Sequence, residues 1–179
     1  MISSESLEVL YRTTRDEPAP PRVWLAVVTC MDHQVRPEWA LGVGTGEAHL
    51  IRNAGGRATE DAMRSLVVAW NALAVDECVV MQHTDCRMST FTDDGLRREL
   101  AEQWSIDASS VEFLTFTDPQ ACVRDDVDRI RESPLVPDYI AVSGCICDTS
   151  TGHLEVVVAD PMSRIPLLKT REPGPTSRR

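Results

Sequence analysis

Continuous apolar runs alternate along this chain with stretches of helical periodicity, and together they predict its elements. Val23 to Thr29 is an apolar run closed by Cys30, and reads as a strand buried on both faces. Ala48 to Arg52 reads as a short second strand running into Asn53-Ala54-Gly55-Gly56. Asp76 to Gln82, closed by His83, is a third, Tyr139 to Gly144 a fourth and Leu154 to Ala159 a fifth. A tight turn around Thr151-Gly152 precedes the fifth, so that strand is expected to pair antiparallel at an edge. Between the strands, Pro37 to Leu41 makes a helical turn and Gly42 to Glu47 a glycine-rich loop. Thr59 caps a strong helix with Ala62 or Met63, Leu66, Val67, Trp70 and Leu73 on its inward stripe. Thr92 or Asp93 caps another, reaching about Trp104 with Leu96, Leu100 and Trp104 inward. Asp118-Pro119 opens a third through about Glu132, carrying Ala121, Val127 and Ile130. The pattern is α/β: four parallel strands plus an antiparallel edge strand, flanked by helices on both faces.

The ends read differently. Leu7, Leu10 and Tyr11 fall at helical spacing between Ser3 and about Thr14, and Pro18, Pro20 and Pro21 make an extended linker. Residues 1–21 are therefore an arm, 22–165 the α/β domain, and 166–179 a Pro/Arg/Ser-rich tail expected to be disordered.

A chain of 179 residues can bury about 70% of its unfolded surface in one domain. A net charge of −10 disfavours nucleic acid and anionic membranes, whose phosphates need Lys/Arg patches. No apolar stretch approaches the ~18 residues of a membrane span, and no secretory pattern opens the chain. Six cysteines without such a signal fit a reducing cytoplasm better than a disulfide framework. Cys78 reads as core; Cys145 and Cys147 share one strand face, as buried thiols or as a second site.

Cys30-Met31-Asp32 and His83-Thr84-Asp85-Cys86 each follow a strand end. Parallel strands end on one sheet edge, where open α/β folds place their sites. Two thiolates, an imidazole and a carboxylate meeting there suit Zn2+, and the thiolates offset its charge. Either motif alone arises by chance. The specificity comes from both, with Arg52-Asn53-Ala54-Gly55-Gly56 between them, although that loop alone also reads as an ordinary strand-to-helix turn.

With these motifs the chain resembles the β-class carbonic anhydrases, whose pattern is Cys-x-Asp-x-Arg, Arg-Asn-Ala-Gly, then His-x-x-Cys-Gly. Gly46-Glu47-Ala48-His49 and Phe91-Thr92-Asp93-Asp94 resemble the short bacterial branch, and the likeness runs from about Val23 to Val158. The resemblance implies that Cys30, His83 and Cys86 ligate zinc. The fourth position then holds water, or the Asp32 carboxylate in a closed form. It implies reversible hydration of CO2 to bicarbonate by zinc-bound hydroxide, or, as in some relatives, hydrolysis of carbonyl sulfide or carbon disulfide. It also implies a homodimer or higher homo-oligomer. Gly55 and Gly56 would let backbone approach the metal pocket, Arg52 would orient loops or face a partner subunit, and Asn53 would bond backbone.

Two positions depart from the pattern. Gln34 replaces the arginine that pairs with the aspartate, so Asp32 is expected to spend more time on the metal, with a catalytically silent zinc protein as the extreme. Arg87 replaces a glycine. Arg87 or Arg36 takes over as partner of Asp32, or both are surface residues. His33 is a proton relay or an exposed histidine without a role; His49 and His153 read as structural or surface residues. The four tryptophans fall on apolar stripes and read as core or subunit interface.

Overall fold

In the computed structural model, which describes residues 23–44 and 46–169, a five-stranded sheet organises the chain. The elements are β1 (Leu25–Cys30), α1 (Pro37–Leu41), β2 (Ala48–Asn53), a 3₁₀ turn (Ala54–Gly56), α2 (Glu60–Ala72), β3 (Glu77–His83), a second 3₁₀ turn (Arg87–Ser89), α3 (Asp93–Trp104), α4 (Pro119–Arg131), β4 (Ala141–Cys147), β5 (Leu154–Val158) and α5 (Pro166–Lys169). The predicted N-terminal helix and proline linker lie outside the described residues. Among the described residues no helix is long and apolar enough to cross a membrane.

The strand order is β2-β1-β3-β4-β5, parallel throughout except for antiparallel β5. Every residue of β1, β3 and β4 is buried; their sequences are mainly apolar, with Thr29, Glu77, Gln82, His83 and Ser143 as buried polar members. The chain leaves β1 for β2 on one side and returns to β3 on the other. The crevice between the carboxyl ends of β1 and β3 is therefore a topological switch point. Register brings Cys30 opposite Asn53 and His83 opposite Cys147 along that edge.

Alternation along the strands sorts side chains into two cores. Ala26, Val28, Cys78 and Val80 meet Leu66 and Trp70 of α2 and Val123, Val127 and Ile130 of α4. Leu25, Val27, Val79 and Met81 face the other way, covered by Val35, Leu41 of α1, Ile165 and Leu168. Thr59 caps α2 by accepting from the Ala62 N–H, and Asp118 caps α4 from Gln120 and Ala121, each cap contributing about 1 kcal/mol.

Several expectations are corrected. Leu73 is 47% exposed, beyond the last turn of α2 that faces the sheet. Leu96 and Leu100 are only half-buried and Trp104 is 69% exposed. A stripe of three apolar residues in a strongly charged helix is too narrow to seat it. Instead α3 is held by polar bonds: Asp93 accepts from Phe113 N, Thr115 N and Thr115 Oγ1, and Arg97 donates to the Val111 carbonyl. Those bonds hold the Asp93 carboxyl at about 2. Strand β4 begins after Tyr139, which is exposed because a turn from Pro137 to Ile140 intervenes, and it runs on to Cys147. Pro166 to Lys169, expected to belong to a disordered tail, instead form α5 with Leu168 wholly buried, and residues 170–179 lie outside the described residues. Of the tryptophans Trp70 is core, while Trp39 is half-exposed.

Candidate metal centre

Two strand ends and one reversed turn build the site. Cys30 is the last residue of β1 and His83 the last of β3. Asp85 then adopts φ +58, a left-handed conformation that aspartate tolerates better than most residues, and this turns Cys86 back toward Cys30. The Thr84 N–H donates to the Cys147 carbonyl and pins the turn to β4. The Sγ atoms of Cys30 and Cys86 stand 3.9 Å apart. With a ring nitrogen of His83 they form a buried group whose ligand atoms all lie within 4.8 Å of one another.

The histidine is oriented for ligation. Its Nδ1 lies 2.8 Å from the Thr84 carbonyl, which can only accept, so Nδ1 carries the proton and Nε2 the free lone pair. That Nε2 is buried and has no hydrogen-bond partner. A buried nitrogen without a partner is costly, and a cation between it and the two sulfurs removes the cost. The Cys30 thiol is pulled down to about 4, chiefly by the hydrogen bond from Cys86, against burial. The same bond pushes Cys86 up, since losing its proton would set two charges side by side. Burial alone would lower His83, but the Cys30 thiolate beside it raises it. This donor set fits zinc: two sulfurs and one imidazole, short of one positive ion.

The surrounding loops fix the ligands. Arg52 donates to the carbonyls of Cys30 (2.9 Å), Asp32 (3.4 Å) and Val35 (2.9 Å), closing the loop that follows β1. Asn53 bonds backbone, giving Nδ2 to the Arg57 carbonyl and accepting the Arg57 N–H, both at 2.7 Å. Gly56 has φ +61, and a Cβ there would fall 2.6 Å from the Cys30 nitrogen, so only glycine lets the loop lie against the ligand's backbone.

Asp32, the expected fourth ligand of a closed form, does not join the cluster of Cys30, His83 and Cys86 in this structure. Its Oδ1 accepts the backbone N–H of Gln34 at 2.9 Å, an Asx turn that holds the carboxylate to its own loop. The His33 Nδ1 lies 3.6 Å from the same oxygen. The expected arginine partner is absent among the described residues. Arg87 lies over the Phe91 ring at 5.7 Å and Arg36 over Trp39 at 4.5 Å, so neither replaces the missing cation.

A cavity of about 300 Å³ opens above the ligands. Met31, Ala54, Gly55 and Met88 supply apolar wall, and Asp32, His33 and Arg87 its polar margin. The methionine walls were not legible from the motifs. Nor was Gln82, whose Nε2 donates to the Gly55 carbonyl at 2.5 Å; its signal was a polar residue directly after the apolar run Cys78–Met81 in a buried strand. Beneath the loop, Arg57 pairs with buried Asp126 at 2.7 Å and donates to the Leu114 carbonyl.

The sheet switch point carries two cysteines and one histidine, a group that could hold a metal ion. The family model described as "Carbonic anhydrase" matches residues 25–154, and the chain belongs to the β-class carbonic anhydrase family. It is 38% identical over 141 residues to "Beta-carbonic anhydrase 1" of Mycobacterium tuberculosis, covering 78% of this chain and 85% of that protein. It is 32% identical over 154 residues to "Carbon disulfide hydrolase" of Acidithiobacillus thiooxidans, covering 74% and 75%. The crystal structure of carbonic anhydrase from Streptococcus mutans superposes with a TM-score of 0.76 at 38% identity, covering 88% of this chain and 99% of that one.

Proposed function

We propose that this protein is a zinc-dependent carbonic anhydrase, a lyase that interconverts CO2 and bicarbonate. One observation carries the reading: Cys30 Sγ, Cys86 Sγ and a ring nitrogen of His83 converge within 4.8 Å, and the buried His83 Nε2 has no hydrogen-bond partner. Cys30, His83 and Cys86 would hold the ion. Zinc in such a site brings the pKa of bound water from 15.7 to about 7.

The chain's own residues supply the rest. Arg52 holds the Cys30–Val35 loop rigid, so the ligand does not drift as substrate enters. The Asx turn keeps the Asp32 carboxylate at the cavity margin, where its free oxygen would accept a hydrogen bond from a substrate or solvent hydroxyl. His33, exposed and 3.6 Å from Asp32, passes the released proton to buffer. Met31, Ala54 and Met88 suit a small linear molecule without a dipole. Six free cysteines, all buried, suit a reducing cytoplasm. Exposed Met31 beside the cavity and the half-buried edge strand β2 support assembly as a homodimer or larger homo-oligomer.

The alternative is hydrolysis of carbon disulfide or carbonyl sulfide on the same scaffold, favoured by the sulfur-bearing walls and by the Acidithiobacillus relative. The test is stopped-flow hydration of CO2 above pH 8 by the zinc-loaded protein, beside Gln34→Arg and with both sulfur substrates in parallel. We expect CO2 turnover in the native protein. Because a backbone N–H already holds Asp32, Gln34→Arg should change the rate by less than about tenfold, the low end of outer-shell effects. Turnover of sulfur substrates alone would select the alternative. Activity gained only with Gln34→Arg would make the native protein a silent zinc binder.

A further inference from the structure

Arg87 stands where the family motif has glycine, directly after a ligand cysteine, and its role as partner to Asp32 is gone. Its position is nevertheless well defined. The Arg87 carbonyl accepts from Thr90 N at 3.0 Å and Thr90 Oγ1 at 2.8 Å, which pins the short turn carrying it. Its guanidinium rests on the Phe91 face, a cation–π contact, and forms no ion pair among the described residues. It is also the one permanent cation among the cavity's described lining residues, in a chain of net charge −10.

Such a group has a chemical use here. Neutral CO2 needs no charge to enter, but the product is a planar oxyanion leaving past the Asp32 carboxylate. We propose that Arg87 is a docking residue for that anion: its two-pronged N–H face receives bicarbonate at the cavity mouth and offsets repulsion from Asp32. The Phe91 ring holds the guanidinium there without neutralising it, as a carboxylate partner would. This rests on the carbonic anhydrase reading for the identity of the anion, while the site itself requires only a planar monoanion.

The test uses the zinc-loaded full chain. Nitrate, a planar anion that does not react, is titrated calorimetrically, and bicarbonate is measured as a product inhibitor of CO2 hydration. Arg87→Gln should weaken nitrate binding and raise the bicarbonate inhibition constant by about five- to tenfold, the scale of a solvent-exposed charge-assisted contact. Arg87→Lys should recover part of the loss, because it keeps the charge and loses the fork. Arg36→Gln, beyond the cavity on Trp39, should leave nitrate affinity unchanged. Equal nitrate affinity in native protein and Arg87→Gln overturns the proposal. A native protein that binds nitrate through Arg87 yet hydrates no CO2 would overturn the carbonic anhydrase reading alone.

Discussion

Replacing His83 with alanine is expected to empty the metal site and to lower CO2 hydration by more than the roughly 10–100-fold lost with an outer-shell partner. Without the imidazole, Cys30 and Cys86 remain 3.9 Å apart and two donors must do the work of three. The Thr84 carbonyl, which now fixes the tautomer, loses its partner too. The change should also cost some folding stability without metal, because it empties a buried ring position and leaves the Thr84 carbonyl unpaired, partly offset by removal of the unpartnered Nε2. Metal content after dialysis against a chelator, read beside stopped-flow rates, checks both halves. Retention of one zinc per chain in the variant would show that the ion lies elsewhere.

Gly56→Ala is expected to destabilise the fold by about 3 kcal/mol, combining a left-handed φ with overpacking. In a chain of this size that lowers Tm by about 6–12 °C. The new Cβ would press on the Cys30 nitrogen at 2.6 Å and the Thr29 carbonyl carbon at 2.7 Å, backbone atoms at the end of β1 that hydrogen bonding to β2 and β3 holds in place. The strain therefore falls on a ligand, and zinc affinity should drop with Tm. Gly55→Ala makes the contrast: its φ is +76, but its Cβ meets the flexible Met88 side chain at 3.3 Å. Thermal unfolding of the two variants should show the larger loss at Gly56. Equal losses would mean that contact with the ligand backbone is unimportant.

The strands were legible because a parallel sheet buried on both faces favours apolar runs, as in Leu25–Val28 of β1 and Cys78–Met81 of β3. The ligand residues were legible for a related reason: Cys30 and His83 come just after those runs stop. Helix α3 was misread because period alone does not reveal depth; Leu96, Leu100 and Trp104 recur correctly, yet polar bonds from Asp93 and Arg97 seat the helix. The setting of Asp32 could not be read from residue types. Loss of the arginine suggested a carboxylate drawn to the metal, but the competing donor is a backbone N–H, which every non-proline residue carries. Arg52 was visible as a motif residue; that it spans three carbonyls of the ligand loop is a matter of tertiary distance.

Zinc K-edge X-ray absorption on the purified protein tests the centre most directly. The expected spectrum has one zinc per chain with two sulfur neighbours at about 2.3 Å and one imidazole nitrogen at about 2.0–2.1 Å, completed by a light atom. A protein without stoichiometric zinc, or a shell lacking sulfur, would contradict the assignment of Cys30, His83 and Cys86.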